Sequence, residues 1–212
     1  MTVSANTPTD TVGVLLAGGL ARRMGGGDKP LRTLGGKPIL DHVVARARPQ
    51  VGDLLLNVNG DPARFAAYGL PTATDVIDGH AGPLAGILTG MEWARETHPG
   101  AKWLASFATD APFFPATLVQ DLRRAAETQG AEIACAQSDG RTHPVFALWP
   151  VALADDLRAA MTQEDMRKID AWTARYRVVH VDFPTVPFDP FFNINKPENL
   201  AEAEALFAEA AR

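Results

Sequence analysis

An apolar, β-branched run from Val12 to Ala17 breaks abruptly into Gly18-Gly19. The chain then carries Arg22, Arg23, Gly25, Gly26, Gly27, Asp28 and Lys29 before it turns apolar again at Leu31. The run has the length and composition of a buried strand, and the glycines mark the loop it feeds. Glycine lets the backbone approach a ligand closely, and successive free N–H groups form a concavity that binds anions. Arginine and lysine beside such a concavity suit a polyphosphate better than a neutral sugar. The stretch therefore reads as a nucleoside triphosphate site rather than a solvated surface loop. Two commoner glycine-rich motifs do not fit. A P-loop needs Gly-Lys followed by Ser or Thr, whereas Lys29 follows Asp28 and precedes Pro30. A dinucleotide fingerprint needs a third glycine where Pro30 stands.

Downstream the pattern alternates. Pro38 to Arg48 has Ile39, Val43 and Ala47 at helical spacing, Leu54 to Asn59 reads as a second buried strand, and Leu70 to Thr74 as a brief third. Strand, helix, strand in succession predicts an α/β fold, a Rossmann-like domain whose central sheet is mostly parallel and flanked by helices. In such sheets ligands gather at the carboxyl ends of the strands. With 212 residues, 46% of them hydrophobic, one domain over residues 12–212 can bury its own core, behind a polar stretch, 1–11, read as a disordered tail. A net charge of -5 argues against a nucleic-acid partner. A single cysteine, Cys135, excludes an internal disulfide, a paired Cys/His zinc pattern and a redox C-x-x-C, and it fits a reducing cytoplasm. The first residues lack the basic and apolar regions of a secretory signal, and no run reaches the roughly 18 apolar residues of a membrane helix.

Further stretches carry chemistry. Lys102 to Thr109 reads as a strand ending in Thr109-Asp110-Ala111-Pro112, which puts a carboxylate at a strand tip. One such Asp is enough for magnesium, which keeps several waters and takes only one or two protein carboxylates beside substrate phosphates. Gly82-Pro83-Leu84-Ala85-Gly86 opens a helix whose Leu84, Ile87, Leu88 and Met91 form an apolar stripe. Its two glycines either expose backbone N–H groups to a ligand or allow tight packing. Near the end, Phe191-Phe192-Asn193-Ile194-Asn195-Lys196-Pro197 places two asparagines on one side of an extended segment before a helix over Pro197 to Ala210. His143, alone before Pro144, shapes a loop or faces a ligand. Arg158, Arg167 and Lys168 read as solvated charges.

The string LAGGLARRMGGGDKPL resembles the L-A-G-G-x-x-x-R-M-G-x-D-K-x-L opening of the molybdenum cofactor guanylyltransferases, nucleotidyltransferases of glycosyltransferase-A type fold. GPLAG at 82–86, the T-D-x-P around Asp110 and F-x-N-I-N-x-P-E-x-L near the end resemble that family's later motifs in the same order. The resemblance implies transfer of GMP from GTP to molybdenum-bound molybdopterin, with Mg²⁺ at Asp110. Lys29 and Arg23 would serve the triphosphate and the departing pyrophosphate. Leu16, Ala17, Gly18, Gly19, Gly26, Asn57, Asp75 and Gly82 would bind the nucleotide. Gly86, Asn193 and Asn195 would serve molybdopterin, so the GTP and metal site falls in the N-terminal half and the molybdopterin site in the C-terminal half. An H-P-x-x-A element like that at His143 lies in the family's acceptor half. Cofactor-insertion proteins and apo-molybdoenzymes are the transient partners the resemblance implies. Related cytidylyltransferases read L-A-A-G where this chain has Leu16-Ala17-Gly18-Gly19, so Gly18 points to guanine over cytosine. A CTP-using enzyme and a non-catalytic cofactor carrier are the alternatives.

Overall fold

The computed structural model describes residues 10–17, 28–79 and 82–210. Its core is a seven-stranded sheet. The strands are β1 (Thr11–Leu16), β4 (Leu54–Asn57), β5 (Thr72–Ala73), β6 (Trp103–Ala108), β7 (Ile133–Ser138), β8 (Arg141–Pro150) and β9 (Val178–Asp182), in the order β5-β4-β1-β6-β8-β7-β9. β5, β4, β1 and β6 pair in parallel, β8 runs antiparallel between β6 and β7, and β9 returns parallel to β7. A separate hairpin joins β2 (Thr33–Leu34) to β3 (Lys37–Pro38).

Helices cover both faces, as a mostly parallel sheet requires. α1 (Ile39–Ala47), α3 (Leu118–Gln129) and α6 (Pro197–Ala210) lie on one face. α2 (Pro83–Thr97), α4 (Ala154–Gln163) and α5 (Ile169–Thr173) lie on the other. The strands sort their side chains by alternation. Leu15, Leu54, Leu56 and Phe107 join the first layer, while Val14, Leu55 and Leu104 join the second. Both faces are therefore apolar, which is why these strands read as continuous hydrophobic runs.

Local chemistry sets the element ends. Pro83 occupies the first turn of α2, and Gly130, at φ 60°, closes α3 in the left-handed conformation. The expected tail boundary at residue 11 falls too late. Thr11 already belongs to β1, and Asp10 accepts two hydrogen bonds from the Arg123 guanidinium at 2.6 and 2.9 Å. Arg158 is also not merely solvated, since it grips Glu92 through two bonds of 2.6 Å and ties α4 to α2.

Candidate functional site

The carboxyl ends of β5, β4, β1 and β6 form a continuous edge, and the chain deposits polar groups along it in strand order. Asp75 follows β5, Asn57 ends β4, Leu16 and Ala17 end β1, and Asp110 lies just beyond β6. The edge is itself pinned. Ala17 donates its N–H to the Asn57 carbonyl at 2.9 Å, and Thr109 Oγ1 donates to the Leu16 carbonyl at 3.0 Å.

At the β6 end three distant parts of the chain meet. Lys29 Nζ donates to Asp110 Oδ2 at 2.6 Å and to Asn195 Oδ1 at 2.5 Å. The Ile194 N–H reaches the Asp110 carbonyl at 2.8 Å, so the C-terminal segment is fastened to the same strand tip. Both members of the ion pair are accessible from solvent, with side chains 15% and 26% exposed for Lys29 and Asp110. The pair can therefore open to a ligand without unfolding anything. Asp110 Oδ1 has no partner among the described residues. Among the same residues no trio of His, Cys, Asp or Glu could hold a metal ion. That donor set suits a hard cation that brings its own waters and phosphate oxygens, not one that needs a protein cage.

At the β4–β5 end the geometry centres on Asp75. Asn57 donates from Nδ2 to Asp75 Oδ1 at 2.9 Å, and Asn59 donates to Asp75 Oδ2 at 2.8 Å. Asn59 Oδ1 accepts the Asp75 N–H at 3.2 Å. On the far side, Thr89 Oγ1 accepts the Val76 N–H at 3.0 Å and donates to the Ala85 carbonyl of α2. Arg64 spans the two ends, binding Asp28 Oδ1 at 2.8 Å and donating to the Asn59 carbonyl at 2.8 Å.

The two glycines of GPLAG differ. Gly82 caps α2 at φ 75° and is exposed. Gly86 is buried, and a Cβ there would stand 2.5 Å from Asn57 Oδ1 and 2.6 Å from Leu16 Cδ2, so a packing role accounts for it. Asn193 and Asn195 do not share one side of an extended segment. The chain turns, Asn195 N–H donating to the Asn193 carbonyl at 3.2 Å, and Asn195 is the one of the two whose side chain joins the Lys29–Asp110 pair. Gly18, Gly19, Arg23 and Gly26 lie outside the described residues.

His143 proves to be buried in β8. It pairs with Ala136 of β7 just past an irregularity in the strand, and it is 5% exposed. Its ring stacks on Phe191, with centroids 4.5 Å apart. Ser138 Oγ donates to Asp189 Oδ1 at 3.0 Å and so accepts from His143 Nε2 at 2.6 Å, which defines the tautomer. Burial holds the His143 pKa below its usual value, with Asp189 opposing and Arg141 reinforcing the shift. Sequence reasoning assigned no role to Asn59, Thr89 or Arg64. Asn59 had a signal, standing two residues past Asn57 in Asn-Val-Asn; Thr89 and Arg64 had none.

A mostly parallel sheet whose carboxyl edge collects a lysine, a strand-tip carboxylate and paired amides defines a Rossmann-like nucleotidyltransferase. Residues 13–179 match the family described as MobA-like NTP transferase domain, and the chain belongs to that family. It is 53% identical over 206 residues, 97% of each chain, to a protein of Bradyrhizobium sp. (strain ORS 278) named molybdenum cofactor guanylyltransferase. Among solved structures it resembles molybdopterin-guanine dinucleotide biosynthesis protein A from Archaeoglobus fulgidus, with a TM-score of 0.71, 24% identity, and coverage of 93% of this chain and 99% of that one. A Mycobacterium tuberculosis H37Rv protein solved in complex with manganese shares the fold at a TM-score of 0.65 and 15% identity, covering 92% of this chain and 98% of its own.

Proposed function

We infer that the protein transfers the guanylyl group of GTP to molybdenum-bound molybdopterin, forming the guanine dinucleotide cofactor and releasing pyrophosphate. The name of the near-full-length Bradyrhizobium relative supports the reaction. The observation in this chain that carries the reading is the meeting of Lys29, Asp110 and Asn195 at one strand tip. These come from the triphosphate loop, the proposed metal carboxylate and the proposed acceptor segment, which are the parts the transfer must bring together.

The chemistry suits the groups present. The nucleophile is the terminal phosphate of molybdopterin, whose oxygen forms a bond to the α-phosphorus of GTP as the bond from that phosphorus to the bridging α–β oxygen breaks. Pyrophosphate carries away the charge. The attacking phosphate is already anionic at neutral pH, so no side chain need remove a proton. Positioning and charge neutralisation are what remain for the protein to supply.

Lys29 would exchange Asp110 for the triphosphate, and Arg23 and the backbone N–H groups of Gly18, Gly19 and Gly26 would contact the nucleotide as the family resemblance implies. Asp110 would hold Mg²⁺, a choice supported by its solvent access and its second oxygen. The ion, when bound, would neutralise developing charge on the phosphates. Asn57, Asp75, Leu16, Ala17 and Gly82 would seat the nucleoside, while Asn193 and Asn195 would serve the molybdopterin side; Gly86, packed against Asn57 and Leu16, would support the nucleoside end instead of touching molybdopterin. A cytoplasmic site of action and brief contacts with cofactor-insertion proteins and apo-molybdoenzymes complete the reading.

Pyrophosphate release tests it, with purified protein, Mg²⁺ and molybdopterin-loaded acceptor, GTP and CTP being assayed side by side. Release with GTP alone is expected. Release with CTP would overturn the base assignment, and GTP returned unchanged despite binding would favour a carrier.

A further inference from the structure

A hydrogen-bonded polar cluster surrounds Asp75 away from the phosphate end, and one member of it, Asn59, has no role in the reaction as set out above. We propose that Asn59 is a positioning residue for base selection: it holds the Asp75 carboxylate in the orientation that reads the two N–H donors on the Watson–Crick edge of guanine. The proposal rests on the guanylyl-transfer reading and adds to it the residue that enforces the choice of base.

Geometry first says which part of the nucleotide Asp75 meets. In the sheet order β5-β4-β1-β6, Asp75 and Asp110 stand at the ends of strands three positions apart, hence about 14 Å at the usual strand spacing. The phosphate end is defined by Lys29 beside Asp110. A carboxylate at the opposite end repels phosphate and faces the part of the ligand farthest from it, which is the base.

Hydrogen-bond capacity then says which base. A carboxylate only accepts. Each Asp75 oxygen already takes one amide donor, Oδ1 from Asn57 and Oδ2 from Asn59, and each keeps acceptor capacity. Two acceptors side by side match guanine, whose N1–H and exocyclic 2-amino group point the same way. Hypoxanthine lacks the amino group and offers one donor. Cytosine sets its N3 lone pair against the carboxylate, and adenine its N1.

Asn59 is what fixes that orientation. Its amide contacts both ends of the same residue, donating to the Asp75 carboxylate and accepting the Asp75 N–H. The amide cannot be turned over, because its oxygen would then face a carboxylate and its NH₂ would face an N–H. Asn57 alone would hold one oxygen and leave the carboxylate free to swing about it. Asn57 is also occupied elsewhere, since its Nδ2 donates to the Ala73 carbonyl at 3.3 Å. The Asn59 carbonyl is in turn held by Arg64, which also binds Asp28 next to Lys29. Base end and phosphate end are thereby mechanically joined.

The test compares GTP with ITP, which differ by the 2-amino group alone, in binding to the full-length natural protein and to Asn59→Ala, Asn59→Asp and Asp75→Asn. The natural protein is expected to bind GTP about tenfold or more tighter than ITP, the usual scale for a hydrogen bond to a charged group. Asn59→Ala should weaken GTP about tenfold and ITP little, bringing the ratio towards one, and should raise KM for GTP while leaving kcat at saturation within about twofold. Asn59→Asp, isosteric but presenting an acceptor where a donor stood, should lose at least as much as Asn59→Ala. Asp75→Asn should lose the preference altogether. Thermal unfolding of each variant accompanies the binding data. An Asn59→Ala protein that keeps the natural GTP-to-ITP ratio, or that loses both nucleotides equally, overturns the role of Asn59 and leaves guanylyl transfer standing. A natural protein that binds GTP and ITP alike, or CTP better than either, overturns the guanine reading and this inference with it.

Discussion

Lys29 is the residue on which the site turns. Its ammonium neutralises Asp110 and reaches Asn195, and its exposure would let it move to a triphosphate. Lys29→Met should therefore fold normally and lose about 10²- to 10³-fold in rate of pyrophosphate release, the scale for deleting one preorganised donor to developing charge. Asn195→Ala should cost less, because Asn195 orients the lysine through a single bond. Both rates come from the same assay. Lys29 and Asp110 were legible in the sequence because each sits in a local pattern, a glycine-rich loop and a strand cut off by proline. The part Asn59 plays was not. Its partner lies 16 residues away on the next strand, and nothing local says that the two carboxylate oxygens of Asp75 are shared between two asparagines.

Among the elements, α2 couples packing to binding most directly. Its first turns press against the carboxyl ends of β1 and β4, and Gly86 is the point of closest approach. Gly86→Ala should destabilise the fold by about 1–3 kcal/mol, the usual penalty of overpacking. For a chain of this size that lowers Tm by about 2–4 °C per kcal/mol. Since the displaced group is the Asn57 amide, GTP binding should weaken in parallel, which titration of the same sample would measure. On the other face α6 braces the segment that follows Lys29. Glu204 Oε1 accepts the Gly35 N–H at 2.9 Å, and the Phe207 ring lies against Gly35 and, edge-on at 5.0 Å, against His42. Phe207→Ala should speed hydrogen exchange across residues 33–38 well before global unfolding. No change there would mean that the β2–β3 hairpin holds itself. The helical spacing of α1 and the apolar stripe of α2 were readable from periodicity. That α6, the last element, braces one of the first was not.

For the whole molecule, acid should be felt first through His143. Burial holds its folded pKa below the ordinary value of 6.5, so between the two values the unfolded chain binds more protons than the folded one. Its contribution to stability is thus complete above about pH 6.5 and is lost as pH falls through the folded value. Asp10 acts next and with the same sign. Its pKa lies below 3.8, chiefly through its hydrogen bonds from Arg123, so its contribution is present above that value and disappears in stronger acid. Urea unfolding from pH 7 to pH 5 should show falling stability in the natural protein and a flatter profile in His143→Gln. An unchanged slope would assign the acid sensitivity to other groups.

Taken by itself, the sequence determined the class of fold, the strand-tip carboxylate and the family. Each of these is written in short-range terms: hydrophobic period, turn chemistry and the spacing of a motif. Only the tertiary structure decided which of these parts meet. Lys29 finds Asp110 across 81 residues and Asn195 across 166, and His143 is drawn into the core beside Phe191 instead of shaping a loop. The physical reason is that strand order, not chain order, chooses neighbours. A crossover fold brings the carboxyl ends of β5, β4, β1 and β6 onto one edge, and side chains separated by most of the chain become partners there.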